Sequence, residues 1–173
     1  MEIKLILSAF IAILALVNPV QKIFVITSLQ NQFADKELKY LSLKASITAF
    51  IILVLFLFLG QIIFNYVFHI QLYAFQVTCG VVLFYNGISG LQKGVFLQLE
   101  QNVKLEDLSA VPIAMPMIAG PATITAAVTF PAHYGYGITI LSIFAALGVN
   151  LLLMLYSRPI GNLLTKYNFM NAL

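Results

Sequence analysis

Charge is scarce in this chain: of 173 residues, 9% are Asp, Glu, Lys or Arg and 61% are hydrophobic. Residues 45–92 and 108–157 carry no formal charge at all. A soluble domain of this size could not cover itself with so few polar groups, because its surface would be one apolar patch. Together with a mean hydropathy of +0.99, this predicts an all-α fold, a polytopic bundle of transmembrane helices. The single cysteine, Cys79, excludes an intramolecular disulfide and reads as a small core residue. No Asp or Glu falls within an apolar tract, which argues against a carboxylate proton relay and against a carboxylate cage for a cation. The sequence has no His-Glu-x-x-His motif, Walker loop or dinucleotide fingerprint. No metal, cofactor or enzymatic activity is therefore expected. The net charge of +3 says little about nucleic acid, which is not expected as a partner. The expected partners are the lipid bilayer and a small-molecule solute, with a homo-oligomer left open.

A spanning helix needs roughly 20 apolar residues, so each uncharged tract holds two spans joined by a turn. Five spans follow, at about 5–29, 45–64, 71–91, 109–130 and 138–156. A polar loop is read between the first two, and the tail 157–173 is too short and polar for another full span. Residues 1–91 form a first three-span unit, 92–108 a linker, and 109–173 a second unit with two spans. Lys4 ahead of an apolar run imitates a signal peptide, but no small-x-small cleavage site follows and apolar sequence resumes after Pro19. Lys36, Lys39, Lys44, Lys93, Lys104, Arg158 and Lys166 fall on one side of this arrangement, against Lys4 on the other. The positive-inside rule then places the N-terminus outside and the charged segments in the cytoplasm.

What interrupts the apolar pattern carries the functional expectation. Of six prolines, Pro112, Pro116, Pro121 and Pro131 lie in the second uncharged tract, and Pro19 follows Asn18 inside the first span. Proline removes a backbone donor and clashes with the preceding turn. In lipid the freed carbonyls must find other partners, so a broken helix persists where it is buried in protein or lines a wet cavity. Asn18-Pro19 and Gly120-Pro121 both read as helix starts, with Asn the better cap and Pro at the first helical position. The breaks are three spans apart, so their units run in opposite directions, the pattern of an inverted-repeat transporter. The bland alternative is that both prolines are tolerated kinks. Two half-helix N-termini near the midplane would favour a carboxylate or another anion. Gln21, Thr123 and Thr125 lie in their first turns and could donate hydrogen bonds. Lys22 is the only formal charge between Lys4 and Asp35. It is either an intramembrane functional charge or a lysine that snorkels to the interface.

The remaining polar residues are milder. Gln61, Gln76, Thr78, Asn86 and Asn150 read mainly as interhelical hydrogen bonders. Gly80, Gly87, Gly90 and Gly94 read as a close helix contact along span three, and Ser142, Ala145, Ala146 and Gly148 suit the same role in span five. Gly87-Ile88-Ser89-Gly90 matches the Gly-x-Ser-Gly pattern of rhomboid intramembrane proteases. That chemistry needs a histidine base beside the serine, and His69 and His133 fall at the other membrane face.

Val111-Pro112-Ile113-Ala114-Met115-Pro116-Met117-Ile118-Ala119-Gly120-Pro121 resembles the Pro-x-x-x-Pro-x-x-x-Gly-Pro segment of the MarC family of bacterial integral membrane proteins. Asn18-Pro19 resembles that family's Asp/Asn-Pro motif, and the order of spans agrees along nearly the whole chain. The resemblance implies a six-span inner-membrane protein with related halves, similar to LysE-type exporters, whose substrate is not established. The chain departs from the pattern at Gln21, Lys22 and Phe24, where the family has Gly, Asn and a second proline, and at Ala122, where it favours glycine. It also stops at Leu173 before a sixth span, by truncation, by borrowing a helix from a neighbour, or as a degenerate copy. The expectation is an inverted 3+3 repeat with spans one and four discontinuous. It would transport a small solute, amino-acid-like or anionic, held by Asn18, Pro19, Gln21, Lys22, Gly120, Pro121, Thr123 and Thr125, with Pro112 and Pro116 as hinges. The alternative is a membrane protein that transports nothing, its breaks serving packing or partner binding.

Overall fold

A computed structural model describes residues 2–30, 33–67, 69, 71–93, 114 and 117–160. Every regular element among the described residues is helical: α1 (Glu2–Val17), α2 (Pro19–Leu29), α3 (Asp35–Ile62) with a π-helical turn at Ile63–Val67, α4 (Leu72–Lys93), α5 (Pro121–Tyr134) and α6 (Tyr136–Leu155). Three stretches among them are long and apolar enough to cross a membrane: Ile3–Thr27, Asp35–Val67 and Tyr136–Leu155. The expected hinges Pro112 and Pro116, most of the linker and the tail from residue 161 lie outside the described residues.

Helix α3 begins ten residues before the span expected at 45, inside what reads as a polar loop. Its start is held by the Glu37 carboxylate, which accepts from the Ala34 N–H at 2.7 Å. Asp35 and Glu37 in the first turn also suit the positive end of the helix dipole. Charge marks where the bilayer ends, and the helix continues past that point.

Contacts at the two ends fix the directions of the helices. The Ser8 and Tyr134 hydroxyls lie 3.4 Å apart, tying the start of α1 to the end of α5. Phe58 stacks on Tyr136 at 5.7 Å, joining the far part of α3 to the start of α6. At the opposite end Asp35 pairs with Arg158, bringing the start of α3 to the end of α6. Thus α1 and α6 run parallel while α3 and α5 run against their respective partners. The turn from α5 to α6 passes through Gly135 at φ 80°, a left-handed conformation that glycine adopts without steric cost.

Helices α1, α2, α3 and α5 all pack on α6, and α5 also packs on α1, α3 and α4. Leu41, Ala45, Ala49 and Leu53 form a buried stripe on α3 that belongs to one apolar core with Ile13 and Val17 of α1, Ile26 and Leu29 of α2, and Ile143 and Ala146 of α6. The other face of α3 is equally apolar yet exposed, with Ile47, Ile51, Leu55 and Phe58. Both faces are hydrophobic because one meets protein and the other lipid.

The sequence reads a close helix contact along span three; of its glycines the structure describes the surroundings of Gly80, where a Cβ would meet nothing within 4 Å, as at Gly148 in span five. The close approach is at Gly60, where a Cβ would fall deep inside the van der Waals radius of Val128 Cγ2 on α5. Valine is stiff about χ1 and cannot swing clear. Gly60→Ala should therefore cost about 1–3 kcal/mol by overpacking, and Val128→Ala in the same chain should recover most of it. Thermal unfolding of the two single variants and the double variant in detergent checks this; purely additive losses would place the contact elsewhere.

Candidate functional site

The first break forms as a chain of replacements for lost backbone bonds. Asn18 ends α1 by donating its N–H to Leu14 O at 3.1 Å and Ala15 O at 3.2 Å. It then turns left-handed, at φ 51° and ψ 70°, a region that Asn tolerates better than other side chains. Its side-chain oxygen accepts from the Gln21 N–H at 3.5 Å, and Pro19 takes the first helical position of α2. The expected Asn-Pro helix start is present, with the cap in the left-handed well rather than the usual extended one.

The Gln21 N–H would have bonded Val17 O had the helix continued, so the break orphans that carbonyl. Lys22 Nζ donates to it. The lysine is only 1% exposed, which removes the snorkelling alternative within this chain: the amine curls back toward the break and away from the interface. Gln21 is half-buried and serves the break through its backbone.

The second break uses a different device. Ala119 N–H reaches back five residues to Ala114 O at 2.8 Å, a π-type turn. Gly120 caps α5 in an extended conformation without a side chain, and Pro121 follows at the first helical position. Pro121 brings no N–H, and the buried Thr123 hydroxyl lies 2.9 Å from Ile118 O, ahead of the break, and 2.9 Å from Gly120 O, which also accepts the Ile124 N–H at 2.9 Å. The hydroxyl's single proton serves one at a time. Thr123 thus spends its donor on the backbone, whereas the sequence expectation gives that donor to a ligand.

The breaks adjoin. Leu16, at the end of α1, and Ala122 and Thr125, at the start of α5, line one open groove of about 330 Å³ together with Ala126, Thr129 and Phe130 of α5 and Gln76 and Gly80 of α4. Its walls are mostly apolar with a few amide and hydroxyl groups, and its size is at the small end of ligand pockets. Of the expected site residues, Thr125 lines this groove and Pro121 and Thr123 stand beside it in the first turn of α5. Asn18, Pro19 and Lys22 stand just beyond Leu16. Gln76 and Gly80 join the site from α4, where they read from sequence as packing residues; the open space beside Gly80 is the groove itself. Nothing in the residue pattern marks Leu16 or Phe130.

A second cleft, of about 220 Å³, lies at the Asp35–Arg158 end among Ile26, Gln30, Leu38 and Met154. The ion pair there is half exposed, and pairs of this kind contribute about 0–1 kcal/mol.

Sequence comparison fits this architecture. A family model for MarC family integral membrane proteins matches residues 3–173. The chain belongs to the MarC family. Among relatives of this MarC chain, a UPF0056 membrane protein of Pyrococcus horikoshii is 37% identical over 88% of the chain and 76% of its own length. Another, of Aquifex aeolicus, is 35% identical over 70% of the chain and 59% of its own length. The YvbG protein of Bacillus subtilis, also a UPF0056 membrane protein, is 29% identical over 96% of the chain and 83% of its own length. The chain thus spans between about three fifths and four fifths of these relatives. No solved structure matches it.

Asn18 combines a left-handed backbone with a cap, and substitution can separate the two. Asn18→Ala loses both and should cost about 1–2 kcal/mol, while Asn18→Gly keeps the backbone freedom and should cost only a few tenths. Unfolding midpoints in one detergent test this ordering; equal losses would show that the side-chain cap is what matters.

Proposed function

We propose that this MarC-family protein is a transporter of a small solute in the cell membrane, binding it in the groove where the two broken helices meet. The observation that carries this reading is the groove itself, lined by Leu16 from the end of one half-helix and by Ala122 and Thr125 from the start of another. Discontinuous helices beside a cavity are the usual construction of a transporter site, because broken backbone in lipid needs protein or water around it. The groove's mixed walls suit a solute with an apolar part and a polar end, such as an amino-acid-like molecule. We further propose a six-span inverted-repeat architecture shared with longer relatives. The Asp35–Arg158 end would face the cytoplasm and the N-terminus the outside, as the lysine distribution requires. Pro112 and Pro116, ahead of the second break, are the natural hinge of the fourth span.

The test is solvent access at the groove. In a Cys79→Ser background, Leu16→Cys and Ala122→Cys are labelled in turn with a membrane-impermeant thiol reagent, from each side of oriented vesicles. Ile11→Cys, on an exposed apolar face of α1, serves as the lipid-facing control. Labelling at both groove positions, absent at the control and slowed by a candidate amino acid, is the expected result. Complete protection at both, in protein shown to be folded, would leave a packed membrane protein with no solute path there.

A further inference from the structure

The cleft at the Asp35–Arg158 end is built differently from the groove between the breaks. Its floor is apolar and closed: Ile26 of α2, Leu38 of α3 and Met154 of α6 line it and are only 1–5% exposed. Its rim is charged, with Asp35 and Lys39 from the start of α3 and Arg158 just past the end of α6. Gln30 and Ser157 add an amide and a hydroxyl to the lining. Three helix ends thus surround about 220 Å³ of space that is cationic at the mouth and apolar beneath.

The charges on this rim do not cancel. Asp35 engages Arg158 through Nη1. A guanidinium carries five N–H donors in a planar fork, so most of the fork stays open to a second acceptor. Lys39, one turn after Asp35 on α3, has no carboxylate within 4 Å among the described residues. One acid against two bases gives the rim a single net positive charge.

Depth identifies what this rim meets. Arg158 is the first charge past the uncharged tract 108–157, and Lys39 precedes the tract that begins at residue 45, by about 9 Å along α3. The headgroup layer extends roughly 5–8 Å on each side of the hydrocarbon core, and the long stems of basic side chains span the difference. Tyr40 and Tyr156, both more than half exposed, stand at the same level, where tyrosines anchor helices to the membrane interface. One turn deeper on α6 Leu152 is also exposed. A lipid-facing strip of α6 therefore leads from the hydrocarbon up to the cleft.

We propose that this cleft binds the phosphate of an anionic lipid headgroup, held between Lys39 and Arg158. The open side of the Arg158 fork donates to the phosphate oxygens, the Lys39 ammonium supplies the balancing charge, and Asp35 holds the guanidinium in place. A phosphodiester carries one negative charge, matching the one positive charge left on the rim. The apolar floor receives the glycerol end of the acyl chains, a surface that a soluble phosphate would leave wet. Basic pockets between membrane helices recur as headgroup sites. The site is separate from the groove and does not rest on the transport reading.

Lipid binding is measured on the purified chain in a neutral detergent by native mass spectrometry. Phosphatidylglycerol is titrated against phosphatidylcholine, which has the same phosphodiester but no net charge. Saturable retention of phosphatidylglycerol in preference to phosphatidylcholine is expected. Lys39→Gln and Arg158→Gln should each raise its half-saturating concentration about tenfold, as loss of a charged hydrogen bond implies. Lys36→Gln, on the same helix end but not in the lining of the cleft, should change it little. Should Arg158→Gln fail to fold, Lys39→Gln still decides, since it leaves the Asp35–Arg158 pair in place. Equal retention of the two lipids, or equal losses in Lys36→Gln and Lys39→Gln, would overturn the site. Thermal unfolding against sodium phosphate, with sodium chloride at equal ionic strength as reference, separates the sources. Saturable stabilisation by phosphate that Lys39→Gln abolishes, without any preference for phosphatidylglycerol, would overturn the lipid in favour of a soluble phosphate compound.

Discussion

A single carbonyl, that of Val17, organises the middle of this structure. In lipid no water is at hand, so an unpaired backbone oxygen costs several kcal/mol. Once proline has broken the first span, Val17 O loses its helical donor. Lys22 replaces that donor, and the lysine must then be buried to reach it.

The two breaks solve the same backbone problem with different chemistry. The second uses a threonine hydroxyl and a π-type turn, both neutral, while the first uses a cation. The first break thus buries a cation where the second is held by neutral groups.

Much of this was legible in the sequence because lipid imposes so few solutions. The helical class, both helix starts at proline and the anomaly of Lys22 follow from apolar runs and from the residues that interrupt them. The extent of α3 was not legible, because charge reports the edge of the bilayer, and the helix runs on beyond it to Asp35. Glycine is an ambiguous sign for a related reason. A small residue permits close approach without requiring it, and only the opposing side chain decides. Gly60 meets Val128 and is filled; Gly80 meets no one and opens the groove. The role of Thr123 was also hidden, since a hydroxyl near a break can serve a ligand or the backbone, and the local turn geometry chooses.

The serines of the interior make the last step. Membrane helices pack through small residues, and for close approach alone alanine serves as well as serine. Ala45, Ala49 and Ala146 do so here, fully buried beside Ser46 and Ser142. Where alanine would pack as well, an unpaired hydroxyl is a net loss, because its desolvation goes uncompensated. Ser42 avoids that loss by bonding Leu38 O, which shows that α3 can satisfy a serine internally when packing is all that is asked. Ser46, one turn further on, is buried and left unpaired. Packing explains the size of these residues and backbone bonding explains some of their hydroxyls. What neither explains is the set of buried polar atoms left unpaired, Thr27 Oγ1, Ser46 Oγ, Ser142 Oγ and Asn150 Oδ1.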